Sequence, residues 1–189
     1  METAYVKNVE ADRKTWFSMW FLGAIVTFGL AFFPLFHRLV EGRNKHFRRE
    51  LVLEQQISDH LKSQGKTTPE ATKSYHEMNA LAWAASIILV IPAFVILYLL
   101  SRDLEAHERH MDVFLAAAFP QKMFMTQTIP IKKYAILTIV TLGVGGIYWL
   151  YKIINLYNAH YKGQWYVEKE ISKIMEQEKC QAPAKNVDS

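Results

Sequence analysis

The chain has 189 residues, 51% of them hydrophobic, and a formal net charge of +4. Its single cysteine, Cys180, excludes an internal disulfide and any cysteine-rich metal site. The basic residues do not form a groove interleaved with aromatic side chains, so nucleic acid is disfavoured as a partner and anionic lipid is favoured.

Three long apolar blocks dominate the sequence. They cover residues 16–36, 80–100 and 134–150, the last with a possible extension to 154, and their apolar runs contain no charged side chain before the far end. Roughly 20 apolar residues are enough for a helix to cross the hydrocarbon core of a bilayer. The blocks therefore predict three transmembrane helices. The alternative, buried helices of a soluble bundle, predicts charges along one face of each block.

The first unit, residues 1–62, is predicted to be a transmembrane helix that continues as a helical stalk outside the membrane. Leu53, Ile57 and Leu61 recur every four residues among polar neighbours and form a narrow apolar stripe on that stalk. A polar turn follows, in which Thr68 and Pro69 are typical of a helix N-cap and first helical position. The next helix is therefore predicted to begin near Pro69.

The second unit, residues 63–130, is predicted to contain the second transmembrane helix and a short interfacial helix over residues 111–124. The third unit, residues 131–175, repeats the first: its transmembrane helix leads into a stalk with Val167, Ile171 and Met175 as the apolar stripe. Residues 176–189 are predicted to be a polar tail. The fold class predicted from the sequence is an all-α integral membrane protein.

The distribution of Lys and Arg predicts the topology of the three spans. Residues 102–133 and the N-terminus would lie on one side, and residues 38–79 and the C-terminus on the other. Most of the 22 Lys and Arg residues fall on the second side. The positive-inside rule then predicts a multi-pass protein of the cell membrane, with its N-terminus outside and its C-terminus in the cytoplasm.

The sequence also contains an internal duplication. Residues 25–57 align with residues 139–171 without a gap, and the matched pairs include Thr27/Thr141, Gly29/Gly143, Asn44/Asn158, His46/His160, Glu54/Glu168 and Ile57/Ile171. A weaker third echo follows the second block, where Tyr98 and His107 stand nine residues apart, as Tyr151 and His160 do (98 to 107, 151 to 160). The two clear copies predict a repeated unit of one transmembrane helix with its stalk.

The second copy contains the pattern T-x-G-x-x-x-I-Y-W-x-Y-K followed by N-x-H, formed by Thr141, Gly143, Ile147, Tyr148, Trp149, Tyr151, Lys152, Asn158 and His160. This segment resembles the hallmark of a family of small, functionally uncharacterised prokaryotic integral membrane proteins. The first copy matches only Thr27, Gly29, Asn44 and His46. The resemblance implies a bacterial or archaeal membrane origin and brings no activity with it.

Small residues within the blocks predict close helix packing. They are Thr27 and Gly29 in the first block and Thr141, Gly143, Gly145 and Gly146 in the third. The glycines of the third block do not form a phosphate-binding loop, because no Lys-Ser or Lys-Thr pair follows them.

Three histidines, His46, His107 and His160, occupy corresponding positions after the three blocks. Their imidazoles could converge on a zinc, copper or haem iron. The alternative is that each histidine forms a hydrogen bond at the headgroup boundary or caps a neighbouring helix. His107 and His110 also have a spacing compatible with metal binding, but the sequence identifies no third ligand for that pair.

The sequence favours a non-catalytic accessory or structural subunit of a larger membrane complex, of the respiratory, electron-transfer or membrane oxidase type. No Ser-His-Asp or Cys-His set can be assembled, so neither enzyme activity nor a cofactor is predicted. The predicted partners are other integral membrane subunits and anionic lipids at the cytoplasmic face, without nucleic acid. Two alternatives stay open: a metal- or haem-binding membrane enzyme subunit that uses the three histidines, and a small homo-oligomeric channel or transporter.

Overall fold

The structure is a computed structural model that describes residue 12 and residues 14–70, 75–120 and 129–181, with side chains as far as residue 177. Within these ranges the chain forms six α-helices: α1 (Phe17–Val26), α2 (Phe32–Ser63), α3 (Ala80–Ser86), α4 (Ile91–Ala118), α5 (Ile131–Val140) and α6 (Val144–Gln181). A single 3₁₀ turn, Ile87–Leu89, precedes α4, and the described ranges contain no β-strand. The prediction of an all-α chain is confirmed.

Each of the three apolar blocks is broken by a turn of left-handed backbone. Between α1 and α2 the φ angles of Phe28 and Gly29 are 50° and 92°, and between α5 and α6 those of Leu142 and Gly143 are 51° and 98°. Before α4, Val90 has a φ of 64°. A right-handed α-helix cannot continue through such residues, because its backbone requires a negative φ. The chain therefore forms three helix–turn–helix units where three continuous helices were predicted.

The threonines of the two repeat copies stabilise these turns. The Thr27 hydroxyl donates to the Gly23 carbonyl at 2.7 Å and accepts from the Ala31 amide at 3.0 Å. In the same way, the Thr141 hydroxyl donates to the Leu137 carbonyl at 2.7 Å and accepts from the Gly145 amide at 2.6 Å. Each hydroxyl thus joins the end of the short helix to the start of the long one and accepts from a backbone amide, that of Ala31 or Gly145, which the break leaves without a carbonyl partner.

The breaks overturn the membrane predictions. α1 and α5 have 10 residues each, which is about 15 Å at the helical rise and half of the roughly 30 Å that a spanning helix must cover. The long helices soon leave the apolar blocks and continue with charged residues. Among the described residues, no helix has both the length and the apolar character that a membrane crossing needs. The predictions of three transmembrane helices, an integral membrane protein and a multi-pass topology with the N-terminus outside and the C-terminus in the cytoplasm are therefore wrong.

The three long helices, α2, α4 and α6, run in parallel with a common register, which is visible when positions are counted from the three histidines. Seven positions before them stand Leu39, Leu100 and Ile153, and ten before them stand Phe36, Leu97 and Leu150; all six are buried in one core. Eleven positions after them stand Ile57, Ala118 and Ile171, which belong to a second core. The weak third echo in the sequence is thus a third structural copy.

The second core joins the two predicted apolar stripes. Leu53, Ile57 and Leu61 of α2 pack together with Val167, Ile171 and Met175 of α6, and α4 adds Met111, Phe114 and Leu115. Parallel helices in register bring these stripes together because each stripe begins seven positions after its histidine.

Three local predictions differ from the structure. Residues 111–118 are not a separate interfacial helix but the end of α4, and residues 121–124 lie outside the described ranges. Residues 66–70 are not helical, and the next described helix begins at Ala80, where the Asn79 side chain accepts a hydrogen bond from the Ala82 amide. The end of the predicted polar tail, residues 182–189, also lies outside the described ranges, and α6 extends to Gln181.

Candidate metal centre

The structure brings His46, His107 and His160 together between the two cores. Each follows its turn by 17 positions (29 to 46, 90 to 107 and 143 to 160), so the parallel helices place all three at one level. The ring centroids of His46 and His160 are 4.9 Å apart, and each lies 5.2 Å from that of His107. The interplanar angles are 81–84°. The three imidazoles thus form a nearly equilateral, mutually perpendicular set.

The histidine nitrogens converge on a common point. Nε2 of His46 and Nε2 of His160 are 2.9 Å apart, and one nitrogen of each ring lies within 4.8 Å of the corresponding nitrogens of the others. A tetrahedral zinc ion with imidazole nitrogens at about 2.0–2.1 Å holds neighbouring nitrogens about 3.4 Å apart. The 2.9 Å separation is slightly shorter than that spacing, and the others are at most 4.8 Å, so small movements of the rings are enough to form the coordination geometry.

The outer nitrogen of every ring is occupied by a hydrogen-bonding partner. Nδ1 of His46 lies 3.4 Å from Asp12 Oδ2, and Nδ1 of His160 lies 3.0 Å from Glu108 Oε1. Nδ1 of His107 lies 3.1 Å from the hydroxyl of Tyr75. Metal-binding histidines in proteins characteristically make such a second contact, which fixes the tautomer and the direction of the ring.

The two carboxylates determine which nitrogen carries the proton. An ionised carboxylate only accepts hydrogen bonds, so a hydrogen on Nδ1 of His46 and of His160 is the arrangement that lets Asp12 and Glu108 accept from the rings. In neutral rings Nε2 is then an acceptor, and the two Nε2 lone pairs face each other at 2.9 Å. Nε2 of His107 is also buried, with no hydrogen-bond partner among the described residues. A cation between the three nitrogens would satisfy all of these lone pairs together.

Burial keeps two of the rings in the neutral form that binds metals. His46 is 0% exposed and His107 is 1% exposed. Burial lowers the pKa of His46 well below its usual range, and the neighbouring His160 and Arg49 lower it further. Burial also lowers the pKa of His107, with additional contributions from His46 and His160. Both imidazoles are therefore unprotonated at neutral pH, with a lone pair free for coordination.

Aromatic rings enclose the centre. Phe47 and Tyr75 pack against His107 with centroid distances of 4.8 and 6.0 Å, and Tyr161 packs against His46 at 4.9 Å. These rings occupy the space beside the imidazoles where the flat macrocycle of a haem would have to lie. The arrangement therefore fits a single small ion and does not fit a haem.

Buried acidic residues continue along the helices beyond the histidines. Glu50 and Glu54 follow His46 at four and eight positions (46 to 50, 46 to 54), and Glu168 follows His160 at eight (160 to 168); none is more than 3% exposed. Arg49 reaches this layer and contacts Asp12 at 2.5 Å and Glu168 at 3.0 Å. Arg49 thus pairs with the carboxylates of Asp12 and Glu168 in a layer next to the centre.

The outer partners of the rings were not predicted from the sequence. Asp12 and Tyr75 lie in segments far along the chain from the histidines they contact, and Glu108 contacts His160 on a different helix. Only the repeat itself signalled the site, because it placed one histidine at the same position in each copy. His110, three residues after His107, lies 3.2 Å from Glu54 and is not part of the three-histidine set.

The six residues predicted to pack helices closely lie at or near the turns. A Cβ atom on Gly145 would lie 2.8 Å from the Leu137 backbone, and one on Gly146 would overlap the Phe94 ring. Thr27 and Thr141 bond across the turns, as described above, and Gly29 and Gly143 adopt the positive φ angles. Of the four glycines in this set, only Gly145 is thus in tight contact with the backbone of a neighbouring helix.

Comparison of the chain with protein-family models, with curated proteins and with solved structures finds no match. The resemblance to a family of small prokaryotic membrane proteins therefore stays a prediction, and the geometry of the three histidines carries the functional argument.

Proposed function

We propose that this protein is a metal-binding protein in which His46, His107 and His160 hold one divalent transition-metal ion of the zinc class. The observation that carries the proposal is the convergence of three imidazole nitrogens whose outer nitrogens are bonded to Asp12, Tyr75 and Glu108. Imidazole ligands suit zinc and its first-row neighbours, whereas magnesium and calcium prefer oxygen ligands.

The proposed role of the ion is structural. One ligand comes from each helix–turn–helix unit, so a single ion joins all three copies of the repeat. The rings are at most 7% exposed, and aromatic side chains pack around them, so a substrate has little access to the ion, although three protein ligands and one water are also the ligand set of catalytic zinc sites. Because the chain supplies three imidazoles, a water molecule or small anion completes a tetrahedral shell.

The metal content of the purified protein tests the proposal. The full chain is produced with an affinity tag that contains no histidine, dialysed without chelator and analysed by inductively coupled plasma mass spectrometry. We expect about one ion per chain. The variant His107→Gln should lose it, and the control His110→Gln, on the same helix but outside the set, should keep it.

A titration of the wild-type chain with Co²⁺ gives the same answer if the ligand variant does not fold. Cobalt bound by three imidazoles in a tetrahedral shell has visible absorption bands that reach saturation at one equivalent. A folded wild-type protein that takes up neither zinc nor cobalt at micromolar concentrations would overturn the proposal.

The hypothesis of a non-catalytic accessory subunit stays a prediction, because no observation in the structure identifies a larger complex. A structural metal is compatible with such a role, since it needs no catalytic residue. The channel or transporter alternative depended on the three transmembrane helices and has lost its basis.

A further inference from the structure

The turns of the three repeat copies expose large apolar side chains. Phe28 and Leu142, at the first and third turns, are 97% and 96% exposed, and Val90, at the second, is 61% exposed. Further exposed apolar residues flank each turn: Met19, Leu22, Ile25, Val26 and Leu30 at the first, Leu81, Ile88, Leu89 and Ile91 at the second, and Ile136, Ile139, Val140 and Val144 at the third. We call these three groups the apolar tips.

The apolar tips lie at the same end of the molecule. Helices α2, α4 and α6 are parallel and in register, and the histidine that follows each turn by 17 positions meets the other two at the centre. Each turn is therefore about 25 Å along its helix from the histidines, in the same direction. Together the tips form one apolar surface, which is larger than the isolated apolar side chains that are common on protein surfaces.

A basic and aromatic rim surrounds this surface. No Asp, Glu, Lys or Arg occurs between Lys14 and Arg38, between Glu77 and Arg102, or between Lys133 and Lys152. All the charged residues at these boundaries except Glu77 are basic. Exposed aromatic residues lie on the apolar side of the same boundaries: Trp16, Tyr98, Tyr148 and Tyr151. Basic residues attract anionic lipid headgroups, and Trp and Tyr favour the interface between headgroups and acyl chains.

The depth of the tips matches half a bilayer. The first basic residue after each turn is Arg38, Arg102 or Lys152, which is 9, 12 or 9 positions beyond Gly29, Val90 or Gly143 (29 to 38, 90 to 102, 143 to 152). At the helical rise these stretches are about 14–18 Å long. One leaflet of the hydrocarbon core is about 15 Å thick.

We propose that the three apolar tips insert together into one leaflet of a lipid bilayer that contains anionic lipid, with the basic rim at the headgroups. Each helix pair enters and leaves on the same face, so the metal centre stands about 25 Å from the turns, outside the membrane. A protein partner is less suited to this surface, because the surface combines apolar residues on all sides of each tip with a rim typical of headgroup contact. The inference is independent of the metal centre.

Flotation with lipid vesicles tests the proposal. The full chain, purified in mild detergent, is mixed with vesicles of phosphatidylcholine alone or with phosphatidylglycerol, the detergent is removed, and the vesicles are floated through a density gradient. We expect wild-type protein to float with the mixed vesicles. The double variant Phe28→Asp/Leu142→Asp should float at least about tenfold less, because a charge at membrane depth is costly.

These substitutions are chosen to spare the fold. Both side chains are almost fully exposed, and aspartate tolerates the positive φ angles of these two positions better than most residues. The matched control is Val52→Asp/Val113→Asp, which also replaces two exposed apolar residues but lies beyond the histidines, at the opposite end. The control should float like the wild type, and circular dichroism should show the same helix content for all three proteins.

A charge-reversal pair tests the basic rim. Lys133→Glu/Lys152→Glu should reduce flotation with the phosphatidylglycerol vesicles several-fold and leave flotation with phosphatidylcholine alone unchanged, since each basic residue near the surface contributes to anionic lipid binding. The control pair Lys62→Glu/Lys173→Glu is at the far end of the bundle and should have no effect. If the two charge-reversal variants and the wild type float equally with each of the two kinds of vesicle, the role of the basic rim is contradicted.

The depth of insertion distinguishes one leaflet from a superficial contact. A fluorescent probe on Phe28→Cys, in a chain that also contains Cys180→Ser, should be quenched most by lipids that carry the quencher near the end of the acyl chain. A probe on Val52→Cys should not be quenched. If the aspartate tip variant floats like the wild type, the proposal is wrong. It is also wrong if the wild type forms a soluble oligomer that does not bind vesicles, while the aspartate tip variant is a monomer. The tips would then bind another copy of the chain.

Discussion

Glu108 follows His107 along α4, yet its Oε1 atom lies 3.0 Å from Nδ1 of His160 on α6. The carboxylate of the second repeat copy thus orients the imidazole of the third. Asp12, from the segment before α1, contacts His46 and also Arg49, which extends to Glu168 of α6. The centre is held by contacts between copies. Replacement of the outer residues should therefore change the metal affinity, as replacement of the ligands does.

The first prediction concerns this outer contact. Glu108→Gln should weaken zinc binding about 10- to 100-fold, because a neutral amide accepts less strongly from His160 and no longer increases the basicity of the ring. Competition with a chromophoric chelator measures the change in Kd. The control Glu105→Gln removes a carboxylate that pairs with Arg109 on the surface of the same helix. Equal affinity of the two variants would show that the Glu108 carboxylate does not tune the centre.

The second prediction concerns thermal stability. An ion that binds only the folded chain stabilises it by about 2.7 kcal/mol when its free concentration is 100 times Kd. For a chain of this size such a change raises the Tm by roughly 5–10 °C. We therefore expect added zinc to increase the Tm measured by circular dichroism and a chelator to reverse the increase. His107→Gln should abolish the response to zinc, and His110→Gln should retain it.

Contact between α5 and α6 leads to the third prediction. A Cβ atom at Gly145 would meet the backbone of Leu137 and Thr138 at 2.8 Å, and backbone cannot move aside as a side chain can. Gly145→Ala should lower the free energy of unfolding by about 1–3 kcal/mol through overpacking. Gly163, on the same helix, has open space where the methyl group of an alanine would lie: apart from the neighbouring backbone of its own helix, no atom lies within 4 Å. Gly163→Ala should therefore stabilise the helix by about 0.5–1 kcal/mol. Denaturant unfolding of both variants measures the two changes, and a neutral Gly145→Ala would disprove the close contact.

The three-histidine set could be predicted because a repeat fixes positions without any knowledge of the fold. Corresponding residues of parallel copies meet near a common axis, so His46, His107 and His160 came together once the copies packed in register. The apolar stripes that include Ile57 and Ile171 met for the same reason. Asp12 and Tyr75 belong to no repeat, and their contacts depend on the path of the chain between helices, which periodicity does not record.

The helix breaks could not be predicted from apolar content. A hydropathy profile reports the polarity of side chains and contains no information on whether the backbone stays helical. Each block therefore has the composition of a spanning helix. The reversal depends on residues with positive φ, and Phe28, Leu142 and Val90 are not residue types that favour this conformation. The Thr-x-Gly sequence shared by the two copies is the signal of the breaks. From the sequence alone it is interpreted as helix packing. In the structure the threonine forms hydrogen bonds across the turn and the glycine adopts a positive φ angle.

The fourth prediction concerns the pH dependence of stability and rests on Glu50. Burial raises the pKa of Glu50 well above its usual range, and the nearby carboxylates of Glu168 and Asp12 raise it further while Arg49 lowers it. The folded chain therefore keeps a proton on Glu50 at pH values where the unfolded chain has lost it. This contribution to stability is complete below the unfolded pKa and is lost as the pH rises through the folded pKa.

Replacement of Glu50 by glutamine should remove this pH dependence. Glutamine stays neutral at every pH, and its carbonyl can still accept from Gln164 Nε2, which lies 2.7 Å from Glu50 Oε2. Between pH 5 and pH 8 the Tm of Glu50→Gln should rise relative to that of the wild type by roughly 2–4 °C, which corresponds to about 1 kcal/mol for a chain of this size. The contributions of all other groups are common to the two proteins and cancel in the difference. The control is Glu41→Gln, at a half-exposed position on the same helix that pairs with Lys45. The difference between its Tm and that of the wild type should not change with pH. If the Tm difference between Glu50→Gln and the wild type is also independent of pH, Glu50 is ionised in the folded chain and its charge is compensated by Arg49.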